Sequence, residues 1–184
     1  MQEIALGLRR RDVTLLQELV EQYQYRLVRY LIYLSGRRQG VEDLVQETWL
    51  RVLERGSTYD GVTRFEPWLF AIAHNLAIDD MRQRRTFSLD SNGEDGEAPV
   101  RLQVSRDPSP FTQAAQTRAA EDIAACLETL EPECREALVL RFQEDLSLEE
   151  IAAVAGAPVS TIASRIYRSL AKLRAQWKGA HREL

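Results

Sequence analysis

Apolar residues recur at steps of three and four along most of the chain, the period of a helix with one buried face. Leu15, Leu19, Tyr23, Leu27, Leu31 and Leu34 trace a first long helix, with Asp12 placed to cap its start and Gly36 to close it. Val41, Leu44, Val45, Thr48, Val52 and Leu53 trace a second, ended by Gly56. A polar loop, 57–64, leads to a third marked by Phe65, Leu69, Ile72, Leu76 and Ile78 and expected to run to about Arg85. The pattern then breaks. Residues from Thr86 to about Phe111 hold Pro99, Pro108, Pro110, Gly93, Gly96 and four serines, the composition of a flexible linker. Helical spacing resumes with Ala120, Ile123, Ala124, Leu127 and Leu130, and Pro132 opens the next helix. No strand-like alternation occurs. The expected fold is all-α: two small helical domains, 1–86 and 112–184, joined by a linker at 87–111.

Chemistry is most legible near the C-terminus. Ser147 followed by Glu150 is a capping box, and a short helix with Ile151 and Val154 inward follows it. Gly156 permits a left-handed turn, and Pro158 suits the start of a longer helix with Ile162, Ile166, Leu170, Leu173 and Trp177 on one stripe. This is a helix-turn-helix layout. The second helix carries Arg165, Arg168, Lys172, Arg174 and Lys178 and no acid, whereas residues 121–150 hold ten acids against Arg135 and Arg141. Small polar residues, Ser160, Thr161 and Ser164, precede Tyr167 and Arg168. Small residues let a helix enter a major groove, and an arginine can pair bidentately with guanine.

The other half offers subtler signals. Asp43, Gln46, Glu47, Leu50 and Glu54 share the polar side of the second helix, a face that is either solvated or a protein docking site. Phe65, Trp68 and Phe70 open the third helix, Asn75 and Asp79 lie on its polar side, and Arg82, Arg84 and Arg85 end it. Tyr59 and Arg64 sit in the loop before it. Aromatics beside basic residues suit unpaired bases, although most of these aromatics fit a core equally well. His74 reads as a boundary histidine.

The formal net charge is −4, against the basic excess of most free-standing DNA binders. Either DNA is not the partner, or basic charge is local and another component contributes affinity; the segregated charge favours the latter. Cys126 and Cys134 read as ordinary thiols, and with only His74 and His181 available no metal site is expected. No apolar run approaches the ~18 residues that span a bilayer, and no signal peptide is evident, so the expected location is the cytoplasm.

The strings 42–50 (EDLVQETWL) and 65–75 (FEPWLFAIAHN) resemble region 2 of bacterial extracytoplasmic-function (ECF) sigma factors, and 130–137 (LEPECREA) with 147–174 resembles region 4. The resemblance covers nearly the whole chain, in order. It implies that Asp43, Gln46, Glu47 and Leu50 dock on the clamp helices of the largest subunit of core RNA polymerase. It implies that Tyr59, Arg64, Asn75 and Asp79 hold the melted non-template strand of the −10 element, with Arg82, Arg84 and Arg85 on phosphates. Ser160, Thr161, Ser164, Arg165, Tyr167, Arg168 and Lys172 would read the −35 element as duplex. An anti-sigma factor is the implied regulator. Ala163 stands where many relatives have a basic residue, and His74 where arginine is frequent. No cofactor or catalytic residue is expected. A dimeric helix-turn-helix regulator would need a dimerisation heptad or ligand pocket, and neither is evident. A nucleic-acid enzyme would need clustered carboxylates, and Asp79-Asp80 is the only adjacent acidic pair on its helix.

Overall fold

The computed structural model describes residues 1–90 and 125–180, with side chains through Arg84 and again from Ala125 to Gln176. Most of the expected linker, the start of the helix at 120–130, and the side chains of Arg85 and Trp177 fall outside the described residues. Among the described residues the regular elements are all helical.

The first helix, α1 (Gln2–Arg10), was not foreseen. Its signal is short: Ile4, Ala5 and Leu8 on one face, of which Ala5 and Leu8 are buried. Arg11 adopts a left-handed conformation, its N–H reaching back to Leu8 O, and Asp12 then caps α2 (Val13–Ser35) through Thr14 N and Leu15 N. This corner is tight because Gly7 faces Leu15; a Cβ at Gly7 would lie 2.2 Å from Leu15 Cδ2. Gly36, at φ 71°, closes α2. The helix α3 (Val41–Arg55) follows, then a 3₁₀ turn at Gly56–Thr58, then α4 (Phe65–Asp90). The α4 helix runs five residues past its expected end at Arg85. Nothing from Thr86 to Asp90 is Gly or Pro, so loop-like composition begins only later in sequence.

The C-terminal half contains α5 (Pro132–Phe142), α6 (Leu148–Ala155) and α7 (Val159–Ala180). Pro132 takes the first turn of α5, where its missing N–H costs nothing. A small apolar group, Leu127, Leu130 and Leu138, with Tyr33, Ile166 and Leu173 against it, lies beneath.

The two halves are packed together. Helix α5 lies against α2, and α6 against α4. One continuous apolar core joins Leu27, Leu31, Leu69, Phe70 and Ala73 of the first half to Ala137, Leu140, Ile151 and Ile162 of the second. No helix among the described residues is long and apolar enough to cross a membrane.

Candidate nucleic-acid interface

The helix-turn-helix is held by local hydrogen bonds. Ser147 Oγ accepts from Glu150 N at 3.1 Å while Glu150 Oε2 accepts from Ser147 N at 2.7 Å. Gly156, at φ 59°, turns the chain toward α7. On α7, Ile162 and Ser169 are buried and Ile166 and Leu173 half-buried, which fixes the inward stripe. Leu170 belongs less to that stripe than its spacing implied, being exposed. The opposite face presents Ser160, Ser164, Arg168 and Tyr167, the last 77% exposed. Ser164 and Arg168 stand one turn apart, with Arg168 Nε donating to Ser164 O at 3.3 Å. Thr161 is half-buried beside them. Lys172 is exposed, but its Nζ donates to Thr129 O at 2.5 Å. Arg165 does not share the exposed face. It is half-buried and lines a cleft of about 360 Å³ between the halves, with His74, Met81, Arg82, Glu133 and Glu136.

On α3, Leu44, Val45, Thr48, Trp49 and Val52 face inward. Asp43, Gln46 and Leu50 face out, Leu50 being 53% exposed, and half-buried Glu47 pairs with Arg51 at 3.0 Å. An exposed leucine among carboxylates is a patch with both apolar and acidic character. On α4, Asn75, Asp79 and Arg82 lie at steps of four and three on the exposed side, Arg82 3.8 Å from Asp79. Arg84 pairs with Asp80 at 3.1 Å, and Asp80 also pairs closely with Arg37.

The loop between α3 and α4 is built around a buried ring. Tyr59 is only 1% exposed, its ring edge-on to Phe65 at 5.5 Å and tilted against Trp68 at 5.3 Å. Its hydroxyl donates to Thr63 O at 2.7 Å. Burial, with Asp60 and Glu66 nearby, raises its pKa above the usual phenol value. Tyr59 therefore anchors the loop, its ring packed inward against Phe65 and Trp68. The tip that faces solvent is Asp60, Val62 and Thr63, with Asp60 Oδ1 accepting from Val62 N at 2.8 Å.

Arg64 points to the other half: its Nη1 donates to Asp145 O at 3.1 Å and lies 3.7 Å from Glu150. It belongs to a polar seam between the halves. The Glu144 carboxylate, 0% exposed, accepts from Arg26 Nε at 2.7 Å and from Arg29 Nη2 at 3.3 Å. Buried Glu136 accepts from Tyr30 OH at 2.5 Å, and His74 Nδ1 lies 2.7 Å from the same oxygen. Burial, then the Glu136 charge, push the Tyr30 pKa well above the usual phenol value. His74 is half-buried, as a boundary residue is, and is also an interdomain contact. Arg135 spans the seam, donating to Tyr33 O, Leu127 O, Glu128 O and Leu130 O at 3.0–3.2 Å; desolvation lowers its pKa. Sequence reasoning missed Glu136, Glu144 and Arg135. Helical period assigns Ala137 and Leu140 to a core, but gives no reason for a carboxylate next to them to be buried.

The chain matches the Sigma-70 region 2 family over residues 19–87 and the Sigma-70 region 4 family over residues 120–173. It is 38% identical to the ECF RNA polymerase sigma factor SigE of Mycolicibacterium smegmatis over 85% of this chain, spanning 59% of that relative's length. It is 35% identical to the ECF RNA polymerase sigma factor EcfG of Rhodopseudomonas palustris, over 79% of this chain and 76% of that protein. The sigma factor RpoE of Bartonella quintana, solved in complex with the anti-sigma factor NepR, superposes with a TM-score of 0.72 at 26% identity, covering 88% of this chain and 96% of that one. CnrH, solved with the cytosolic domain of CnrY, has the same fold, with a TM-score of 0.65 at 24% identity and 96% of each chain covered. With two helical halves matching regions 2 and 4 in order, the chain belongs to the ECF RNA polymerase sigma factors.

Proposed function

We propose that this protein binds core RNA polymerase and directs it to promoters, one half engaging the −10 element as it melts and the other reading the −35 element. The observation that carries this is the pairing, in one chain, of an exposed groove-sized helix face (Ser160, Ser164, Tyr167, Arg168) with a separate acidic and apolar patch on α3. The first suits duplex DNA. The second suits a partner protein, because Leu50 gives apolar area at the centre while Asp43 and Glu47 complement basic residues around it. The polymerase clamp helices are the proposed partner. Asn75, Asp79 and Arg82 on α4, with the tip of the preceding loop, would meet the melted non-template strand. Thr161 and Lys172 belong to the same −35 face, and Arg165 joins it once the seam no longer holds it. Arg64, freed from Asp145 and Glu150, joins the −10 face, with Arg84 and Arg85 as phosphate contacts.

The net charge of −4 agrees with this division. If polymerase contributes most of the DNA affinity, the factor need not be basic. Geometry adds a condition. Elements some 25 base pairs apart are separated by roughly 85 Å at 3.4 Å per pair. A compact chain of this length has a radius of gyration of about 16 Å, hence a diameter of roughly 40 Å. The halves must part for both faces to reach DNA together, and the seam of Glu144, Glu136 and Arg135 is what parts. An anti-sigma factor, as captured with the related RpoE, is the proposed regulator, acting in the cytoplasm on this equilibrium.

Run-off transcription with purified core polymerase tests the reading. Specific initiation that requires this chain is expected, with little promoter binding by the free protein. Tight, two-fold-symmetric DNA binding without polymerase would instead mark a dimeric regulator and overturn it.

A further inference from the structure

The helix α1 lies outside the residues matched by the region 2 family, which begin at 19. It nevertheless packs directly under the loop that joins α3 to α4. Two glycines mark the contact. A Cβ at Gly56 would lie 3.0 Å from Leu8 Cβ and 3.4 Å from Leu8 O. A Cβ at Gly61 would lie 2.9 Å from Ala5 Cβ and 3.2 Å from both Gln2 Cα and Met1 O. Gly61 also sits at φ 72°, a conformation side chains resist. A third contact comes from Met1, whose Sδ is 3.6 Å from the Tyr59 hydroxyl.

The loop is therefore clamped on two sides. From α4, Phe65 and Trp68 hold the Tyr59 ring. From α1, Leu8 meets the backbone at Gly56, where the loop begins, and Ala5 meets it at Gly61, within the exposed tip. Between these supports stand Asp60, Val62 and Thr63, with Val62 82% exposed. An apolar side chain so exposed at the apex of a loop pinned by backbone contact is a presented group, and its position is set by what lies beneath it.

We propose that α1 is a positioning element for the loop tip: Ala5 and Leu8 set where Asp60, Val62 and Thr63 stand against an unpaired base. This rests on the reading above that the loop meets the melted strand. A preorganised loop loses less conformational freedom on binding, so displacing it by a fraction of an ångström weakens binding and alters which base fits.

The test uses the full chain bound to core polymerase and a fluorescent single-stranded oligonucleotide carrying the non-template −10 sequence, with each of the four bases in turn at the position the tip recognises. Ala5→Val pushes on Gly61 and Leu8→Ala removes support from Gly56; either can be read if the other fails to fold. Each is expected to weaken oligonucleotide binding by about tenfold, within the range of one lost base contact. The relative affinities for the four bases should change, while affinity for core polymerase does not. A merely structural role would lower all four affinities by one factor, through loss of folded protein, and that result overturns the proposal. Val62→Asp and Asp60→Ala separate the two layers. If they leave oligonucleotide binding unchanged, the loop does not meet the strand and the inference falls with that reading. If they weaken it while the α1 variants leave both affinity and base preference intact, the role of α1 alone is refuted.

Discussion

Glu144→Ala should release the two halves from one another. The carboxylate is fully buried between two guanidinium groups, Arg26 Nε at 2.7 Å and Arg29 Nη2 at 3.3 Å, whose side chains are 26% and 23% exposed. Arg29 Nε is already buried without a partner, so the site has no spare acceptor. Truncation leaves two like charges facing a space that had held their counter-ion. Removing one partner of a buried pair costs about 3–5 kcal/mol; the partial exposure of both arginines argues for the low end, about 3 kcal/mol. Parting the seam lets water reach both guanidinium groups and relieves that cost. At 1.4 kcal/mol per decade, about 3 kcal/mol moves the closed-to-open ratio roughly 150-fold toward open. Glu144→Gln keeps an oxygen acceptor for Arg26 and should move it less. The assay is energy transfer between dyes at Val13 on α2 and Ala171 on α7, both exposed, with Cys126 and Cys134 replaced by serine. Transfer efficiency should fall in Glu144→Ala. If the other seam contacts, Tyr30 and His74 with Glu136 and Arg135 with Tyr33 O, keep the halves closed, the cost must appear in stability instead. The thermal midpoint would then drop by roughly 6–12 °C, at 2–4 °C per kcal/mol. Unchanged transfer together with an unchanged midpoint refutes the reasoning.

Arg168→Ala should reduce transcription from promoters that depend on the −35 element by about tenfold or more, the discrimination of a lost bidentate contact, while core affinity stays constant; titration of holoenzyme in run-off assays separates the two. Leu50→Asp should do the converse, weakening polymerase binding in a direct titration while leaving the fold intact, because Leu50 is exposed. Gly156→Ala meets nothing within 4 Å, so its cost is the left-handed backbone alone, about 1 kcal/mol, seen as a small fall in the thermal midpoint. Tyr23 predicts an alkaline limit: burial, then the Glu66 carboxylate its hydroxyl bonds at 3.0 Å, push its pKa up to about 12. A raised pKa means the folded state holds the proton longer. This contribution is complete below the usual value near 10 and is lost as pH rises from there toward about 12. Urea midpoints measured across that range should fall, and Tyr23→Phe should flatten the slope.

The sequence by itself determined what is local. Asp12, Gly36, the Ser147–Glu150 box and Gly156 mark helix ends because a cap is made by residues within four positions of each other, and all of them cap or turn as expected. The period of three and four named the buried stripes of α2, α3 and most of α7 for the same reason. It also placed Ser164 and Arg168 one turn apart on an outer face, and Asn75 and Asp79 on another.

What period cannot say is what covers an apolar face. Only the tertiary structure joined the two cores into one, buried Glu136 and Glu144, and turned Arg64, Arg165 and His74 toward the seam. It drew Tyr59 inward against Phe65 and Trp68, and it brought α1 beneath a loop some fifty residues away in sequence. A helix is specified by its own backbone hydrogen bonds and side-chain spacing. The meeting of two helices depends on shape and charge from distant positions, which no short stretch of chain contains.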